Sequence, residues 1–314
     1  MSYNLEGFGE ELKSIRKELG YTQGYISQKL NIHADTLRKI EGGKVIPKIE
    51  TLDYLSTVLK ADISTLFLNF RLDDYSLLND VMRSLEDKLD KFDYGSISSE
   101  IEMLNKLSSM IKNPYYKVLV KQLTLFASGI SLSVKHDFKD RQEKYIEALK
   151  LTTPEFKLSN HTKFAYSLME VRILMNIAFV RNDMGYKDEY LSLMEFCLTQ
   201  VKQRDNLYPI ICHNLATSYY RNKMYKEALK YAQIGIEAYK KSRVFDQMHS
   251  LYYIKGLAEY RLEDNEYIRS IKMAIYLCEA YGLHYVKKMM TSKCNKFLDS
   301  QHDFKNYCLF QVDE

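Results

Sequence analysis

Apolar side chains recur at helical spacing in five short blocks between residues 8 and 67. Phe8, Leu12, Ile15 and Leu19 share one face of a first helix, and Gly20 follows where that helix should stop. Thr22 is placed to cap a second helix carrying Ile26 and Leu30, Asn31 tolerates a left-handed turn, and Ala34 to Ile40 forms a third with Leu37 and Ile40 inward. Beyond Gly42-Gly43-Lys44 and Pro47, Leu52, Leu55 and Leu59 repeat the stripe, and Asp62 caps a short helix holding Leu66 and Phe67. The pattern predicts a five-helix module over residues 1–70 with a helix, tight turn, helix at its centre.

From Tyr75 the apolar positions run Tyr75, Leu78, Met82, Leu85, Leu89 and Phe92, a short heptad seam that fits a linker helix over residues 71–95 with room for a dimer contact. Asp93-Tyr94-Gly95-Ser96 breaks it. Residues 96–314 then compare with themselves: segments ending at Ala178, Ala216 and Ala258 match, offset by 38 residues (178 to 216) and 42 (216 to 258). In the middle copy Ala216, Tyr219, Tyr225, Ala228, Ala232 and Gly235 keep the small and aromatic spacing of a tetratricopeptide repeat. Ser98 to Met110, Tyr115 to Ser133 and Arg141 to Leu151 read as further helices. Tyr285 to Phe297 with Tyr307, Leu309 and Phe310 reads as a cap on the stack. The expected class is all-α.

Composition agrees with that class, since only 4 Pro and 12 Gly occur in 314 residues. The net charge of +4 says little, because residues 1–70 hold nine basic and nine acidic side chains. Between Lys29 and Lys48, however, five bases face two acids, which focuses positive charge on the second and third helices. The five cysteines form no C-x-x-C pair and sit in helical patterns, as reduced cytosolic thiols would. No secretory or membrane-spanning segment is evident, so a cytoplasmic protein without membrane contact is expected.

Thr22-Gln23, Ile26-Ser27, Lys29-Leu30, Asn31-Ile32, Thr36-Leu37, Lys39-Ile40-Glu41, Gly43-Lys44, Pro47 and Glu50-Thr51-Leu52 together resemble the Cro/C1-type (XRE) helix-turn-helix. A recognition helix of this kind enters the major groove by its N-terminal turn. That places His33, Ala34, Asp35, Thr36 and Lys39 near base edges, with Lys donating to guanine, Asp accepting from cytosine and methyl groups touching thymine. Gln23, Arg38 and Lys44 suit phosphates. His33 and Lys48 stand where the family prefers Ser or Thr caps, and Gly24 weakens the second helix, so a less stable module is expected.

In the repeats, Asn176 and Asn214 occupy matching positions two residues before the small Ala, where their amides can pair with the backbone of an extended peptide. Neighbours expected on that concave face are Arg172, Phe179, His213, Thr217, Tyr220, Arg221, Tyr252, Lys255 and Glu259. An XRE domain joined to such an array resembles the RRNPP peptide-sensing regulators of Gram-positive bacteria, of the Rgg, PlcR and PrgX type. The resemblance implies a homodimeric transcription factor that binds an inverted-repeat operator in double-stranded DNA and is controlled by a short signalling peptide. The alternative is a regulator whose repeats bind a partner protein or only dimerise. No Walker loop, H-E-x-x-H, G-x-S-x-G or metal-ligand spacing is found, so neither an enzyme nor a metal or other cofactor is expected.

Overall fold

The computed structural model describes residues 3–30, 32–70, 75–90, 93–111, 113–135, 137–242 and 247–297, and no strand occurs among them. The chain divides into two compact units, residues 1–154 and 155–314.

The first unit opens with α1 (Leu5–Glu18), α2 (Gln23–Leu30), α3 (Ala34–Glu41), α4 (Ile49–Leu59) and α5 (Ile63–Asn69). Side chains satisfy the free amides at most of their starts. Asn4 Oδ1 accepts from Gly7 N at 2.9 Å, Thr22 Oγ1 from Tyr25 N at 3.1 Å, and Asp62 Oδ1 from Thr65 N at 2.9 Å. His33, expected to be a poor cap, takes the role through Nδ1, which accepts from Asp35 N at 3.3 Å. Lys48 makes no such bond at the start of α4. Phe8, Leu12, Ile26, Leu37, Leu55 and Ile63 form the centre of the core.

Leu19 does not join that core and stays 38% exposed. The chain turns through Gly20 at φ +70°, with Tyr21 N donating to Arg16 O, and this brings Tyr21 against the core instead. Asn31 lies outside the described residues. A Cβ on Gly9 would stand 2.5 Å from the Glu41 carbonyl oxygen, so α1 crosses the end of α3 at a distance only glycine permits.

Next in the same unit come α6 (Tyr75–Asp90), α7 (Ser98–Met110), α8 (Pro114–Ser131) and α9 (Phe138–Lys150). On α6 the buried stripe is Leu78, Val81 and Leu85, whereas Met82 and Leu89 are half-buried, and Phe92 lies outside the described residues. The stripe packs on α7. Glu100, 4% exposed, accepts from Lys88 Nζ at 2.6 Å and from Ser84 at 2.7 Å, which pins α6 to α7. These contacts, rather than a long seam, account for the apolar face of the predicted linker.

The second unit holds three helix pairs, α10 (Leu168–Asp183) with α11 (Lys187–Thr199), α12 (Leu207–Arg221) with α13 (Tyr225–Ser242), and α14 (Met248–Arg261) with α15 (Tyr267–Ala280), followed by α16 (His284–Phe297). The expected terminal residues Tyr307, Leu309 and Phe310 fall outside the described residues. Each pair turns through one left-handed residue: Gly185 (φ +91°), Lys223 (φ +63°) and Glu263 (φ +59°). After each, an amide returns to the carbonyl five residues back, Tyr186 to Arg181, Met224 to Tyr219 and Asp264 to Glu259.

These turns correct the repeat register. They follow Ala178, Ala216 and Gly256 by the same seven residues (178 to 185, 216 to 223, 256 to 263), so Gly256, not Ala258, is the small residue of the third copy and the second offset is 40 (216 to 256). Gly256 also sits at a close approach of two helices, since a Cβ there would meet Ile271 Cδ1 at 2.7 Å and its backbone N at 3.2 Å.

Two substitutions in the N-terminal module should act in opposite directions in urea unfolding. Gly24 is exposed, and a Cβ there would meet only Thr22 Oγ1 at 3.8 Å, so Gly24→Ala should stabilise by about 1 kcal/mol. Gly9→Ala forces α1 away from α3 and should destabilise by about 3 kcal/mol.

Candidate functional site

The N-terminal site is built on a buried ion pair. Arg16 Nε lies 2.6 Å from Glu41 Oε1, Nη2 donates to Oε2 at 2.9 Å, and Nη1 donates to the Tyr21 carbonyl at 2.7 Å. Hydrogen bonding to Glu41 raises the Arg16 pKa further, so the guanidinium remains charged inside the fold. Gln23, expected on a phosphate, turns its amide inward and donates from Nε2 to Glu41 Oε2 at 2.7 Å. The buried carboxylate attracts that donor and thereby ties the start of α2 to the end of α3. Sequence reasoning missed Arg16, although a charge continuing the four-residue spacing of Phe8 and Leu12 on the apolar stripe was the signal.

On the opposite side α3 displays the remaining predicted residues. His33, Ala34, Thr36, Arg38, Lys39 and Lys44 are exposed, and Asp35 is half-buried. Asp35 pairs with Arg38 through Oδ1 and with Lys39 Nζ at 2.7 Å through Oδ2. Those two hydrogen bonds, Lys39's the stronger, hold its carboxyl below the usual range. The helix ends in a turn through Gly43 (φ +65°) that presents Lys44. Such a face offers base-edge donors and acceptors beside phosphate-binding cations.

In the second unit α10, α12 and α14 lie side by side. Arg172, Asn176 and Phe179 follow one face of α10, with His213, Asn214, Thr217 and Tyr220 on α12; all are half-buried, and Arg221 is exposed. Asn176 Nδ2 donates to Arg172 O at 2.9 Å, so part of its amide is used within the helix. Tyr190 Oη donates to the Asn214 carbonyl at 3.3 Å, and Thr217 Oγ1 lies 3.5 Å from His213 Nε2. Burial, and then the nearby His249, push the His213 pKa down to about 4.

The third copy departs from expectation, because an alignment two residues out turns a helix by more than half a revolution. Glu259 is only 2% exposed and lies beneath Lys255, which donates to it and, at 2.8 Å, to Ser270 Oγ. Glu259 therefore does not line the groove. Lys255 and Glu259 occupy the positions that Leu215 and Tyr219 hold one repeat earlier. Tyr252 and Lys255 face a separate cleft of about 460 Å³ with Ile236, Lys240, Arg269 and Met273 of α13 and α15. The register puts Tyr253, Leu257 and Arg261 alongside His213, Thr217 and Arg221 instead, and Arg261 hydrogen-bonds Tyr220.

Other chemistry is sparse. Burial raises the thiols of Cys197, Cys212 and Cys294 to about 12 and that of Cys278 to about 11, making them poor nucleophiles. Among the described residues no group of three or more His, Cys, Asp or Glu could hold a metal, and no helix is long and apolar enough to cross a membrane.

This arrangement defines a class: residues 12–66 match the model of the helix-turn-helix family, and the chain carries an XRE-type DNA-binding domain followed by helical repeats. Among solved structures, it is similar to PlcR of Bacillus thuringiensis in complex with the peptide PapR7 and DNA, with a TM-score of 0.71 at 19% identity over 91% of this chain and 99% of that one. It is similar also to Rgg2, an SHP pheromone receptor of Streptococcus dysgalactiae, with a TM-score of 0.56 at 11% identity over 92% and 99% of the two chains. ComR of S. thermophilus in complex with DNA and its signalling peptide ComS gives a TM-score of 0.53 at 14% identity over 91% and 98%. These likenesses establish the fold. No curated protein matches the chain by sequence.

Two measurements probe the repeat unit. His213 binds its proton more weakly folded than unfolded, so the unit should lose stability as pH falls from about 6.5 towards 4, by roughly 3 kcal/mol from this group. His213→Gln should flatten that part of the pH–stability curve. Glu259→Ala leaves the Lys255 ammonium without its carboxylate and should destabilise by about 3 kcal/mol. Replacing the pair together by Leu and Tyr, as in the preceding repeat, should recover that loss in thermal unfolding.

Proposed function

We propose that this chain is a cytoplasmic, sequence-specific transcription regulator that acts as a homodimer and is controlled by a short signalling peptide held on the concave face of its repeats. The observation that carries the reading is the exposed polar and cationic face of α3, held out by the Arg16–Glu41 pair, in a chain that also has a helical array. Ala34, Asp35, Thr36 and Lys39 read base edges, Arg38 and Lys44 contact phosphates, and Gln23 positions the helix through Glu41. His33 caps the recognition helix and lies beside the bases. In a dimer, two such helices must fit half-sites one helical turn or a multiple apart, so a change in geometry alters operator affinity steeply.

Peptide binding is assigned to Arg172, Asn176, Phe179, His213, Asn214, Thr217, Tyr220 and Arg221, with Arg261 added and Tyr252, Lys255 and Glu259 removed. The amides supply sequence-independent backbone contacts, and the aromatics and arginines select side chains and the terminal carboxylate. The similar structures of PlcR with PapR7 and DNA, and of ComR with DNA and ComS, support this pairing of ligands.

Selection of random duplexes on the purified protein should enrich an inverted repeat. Arg38→Ala with Lys39→Ala should weaken that site about 100-fold and lower the salt dependence by about two counterions, with helicity unchanged in circular dichroism. Unaltered operator affinity in the double variant would refute the assignment of α3. Short apolar peptides should raise the melting temperature of the wild type and not that of Asn176→Ala with Asn214→Ala.

A further inference from the structure

The cations of the recognition helix are not free. Arg38 and Lys39 both reach back to Asp35, one turn earlier, and occupy both oxygens of its carboxylate. Yet Arg38 keeps 73% and Lys39 51% of their side-chain surface exposed, while Asp35 keeps 31%. Pairs this exposed exchange readily with solvent and with competing charges. The trio therefore meets DNA as a closed unit, part of its positive charge cancelled, that the duplex must open.

The geometry points to Asp35 as the residue that sets specificity, by withholding Arg38 and Lys39 from any duplex that offers its carboxylate no donor in exchange. This rests on the reading of α3 as a recognition helix. In the major groove only the exocyclic amines of cytosine and adenine donate, whereas guanine O6 and N7 and thymine O4 accept. A carboxylate facing acceptors is repelled, and the cations remain with it. Facing a cytosine amine, the carboxylate gains a new partner, and both cations are released to a neighbouring guanine and to phosphates. His33 supports the arrangement, since its Nδ1 accepts from the Asp35 amide and fixes the backbone from which the carboxylate projects.

The test compares the full-length wild type, Asp35→Ala and Asp35→Asn on the selected operator and on random duplex DNA across a salt series. Removing the carboxylate should free two cations everywhere. Asp35→Ala should therefore bind random duplex about tenfold tighter at low salt, with a log–log salt slope steeper by about two, and lose most of its preference for the operator. Asp35→Asn should move the preferred base at that position from cytosine to adenine. A salt slope and an operator preference for Asp35→Ala equal to those of the wild type would overturn the proposal while leaving DNA binding intact. A wild type that shows no salt-dependent binding to any duplex would overturn the recognition-helix reading and the proposal with it.

Discussion

The N-terminal module depends on one interaction, the forked pair between Arg16 and Glu41. Two ionisable groups are removed from water there, which is tolerable only because each nitrogen of the guanidinium finds an acceptor and the carboxylate also accepts from Gln23. The pair joins α1 to the end of α3, Gln23 brings in α2, and the Tyr21 carbonyl brings in the turn between them. The angle at which α3 leaves the core is thus set by polar groups that lie beneath its exposed face. Gly9 reinforces the same crossing from the other direction, since no larger residue allows α1 so near the Glu41 carbonyl.

The repeat unit is held by a different device. Each helix pair closes through a left-handed residue and a returning amide, and this fixes how far the second helix slides along the first. Lys223 and Glu263 adopt that conformation without being glycine, a local cost accepted for the geometry. Once the pairs are set, faces follow. Asn176, Asn214 and their neighbours on α10 and α12 come to one side, and the Lys255–Glu259 pair takes the place of apolar residues in the layer behind.

Within the first unit, buried polar contacts fix how helices meet. Arg16 and Glu41 stand behind α3, and Glu100 holds Lys88 and Ser84 behind α6. Directional contacts of this kind specify an angle or a register, whereas apolar burial alone tolerates sliding.

Much of this was legible in the chain. The five helices, their caps at Thr22 and Asp62, the exposed polar turn of α3 and the existence of repeats all followed from local spacing, because helix formation and capping are decided within a few residues. The inward turn of Gln23, the cap by His33, the pairing of Asp35 with two cations and the register of the third repeat were not legible. The first depends on groups brought together by folding and the last on a backbone turn with no glycine to announce it, whereas the His33 cap and the Asp35 pairs lie within one helical turn and are choices among several local partners. At Glu263 a left-handed residue without that signal concealed a shift of two residues, and the position of the turn, together with the close packing of Gly256 against Ile271, shows which face the helix presents.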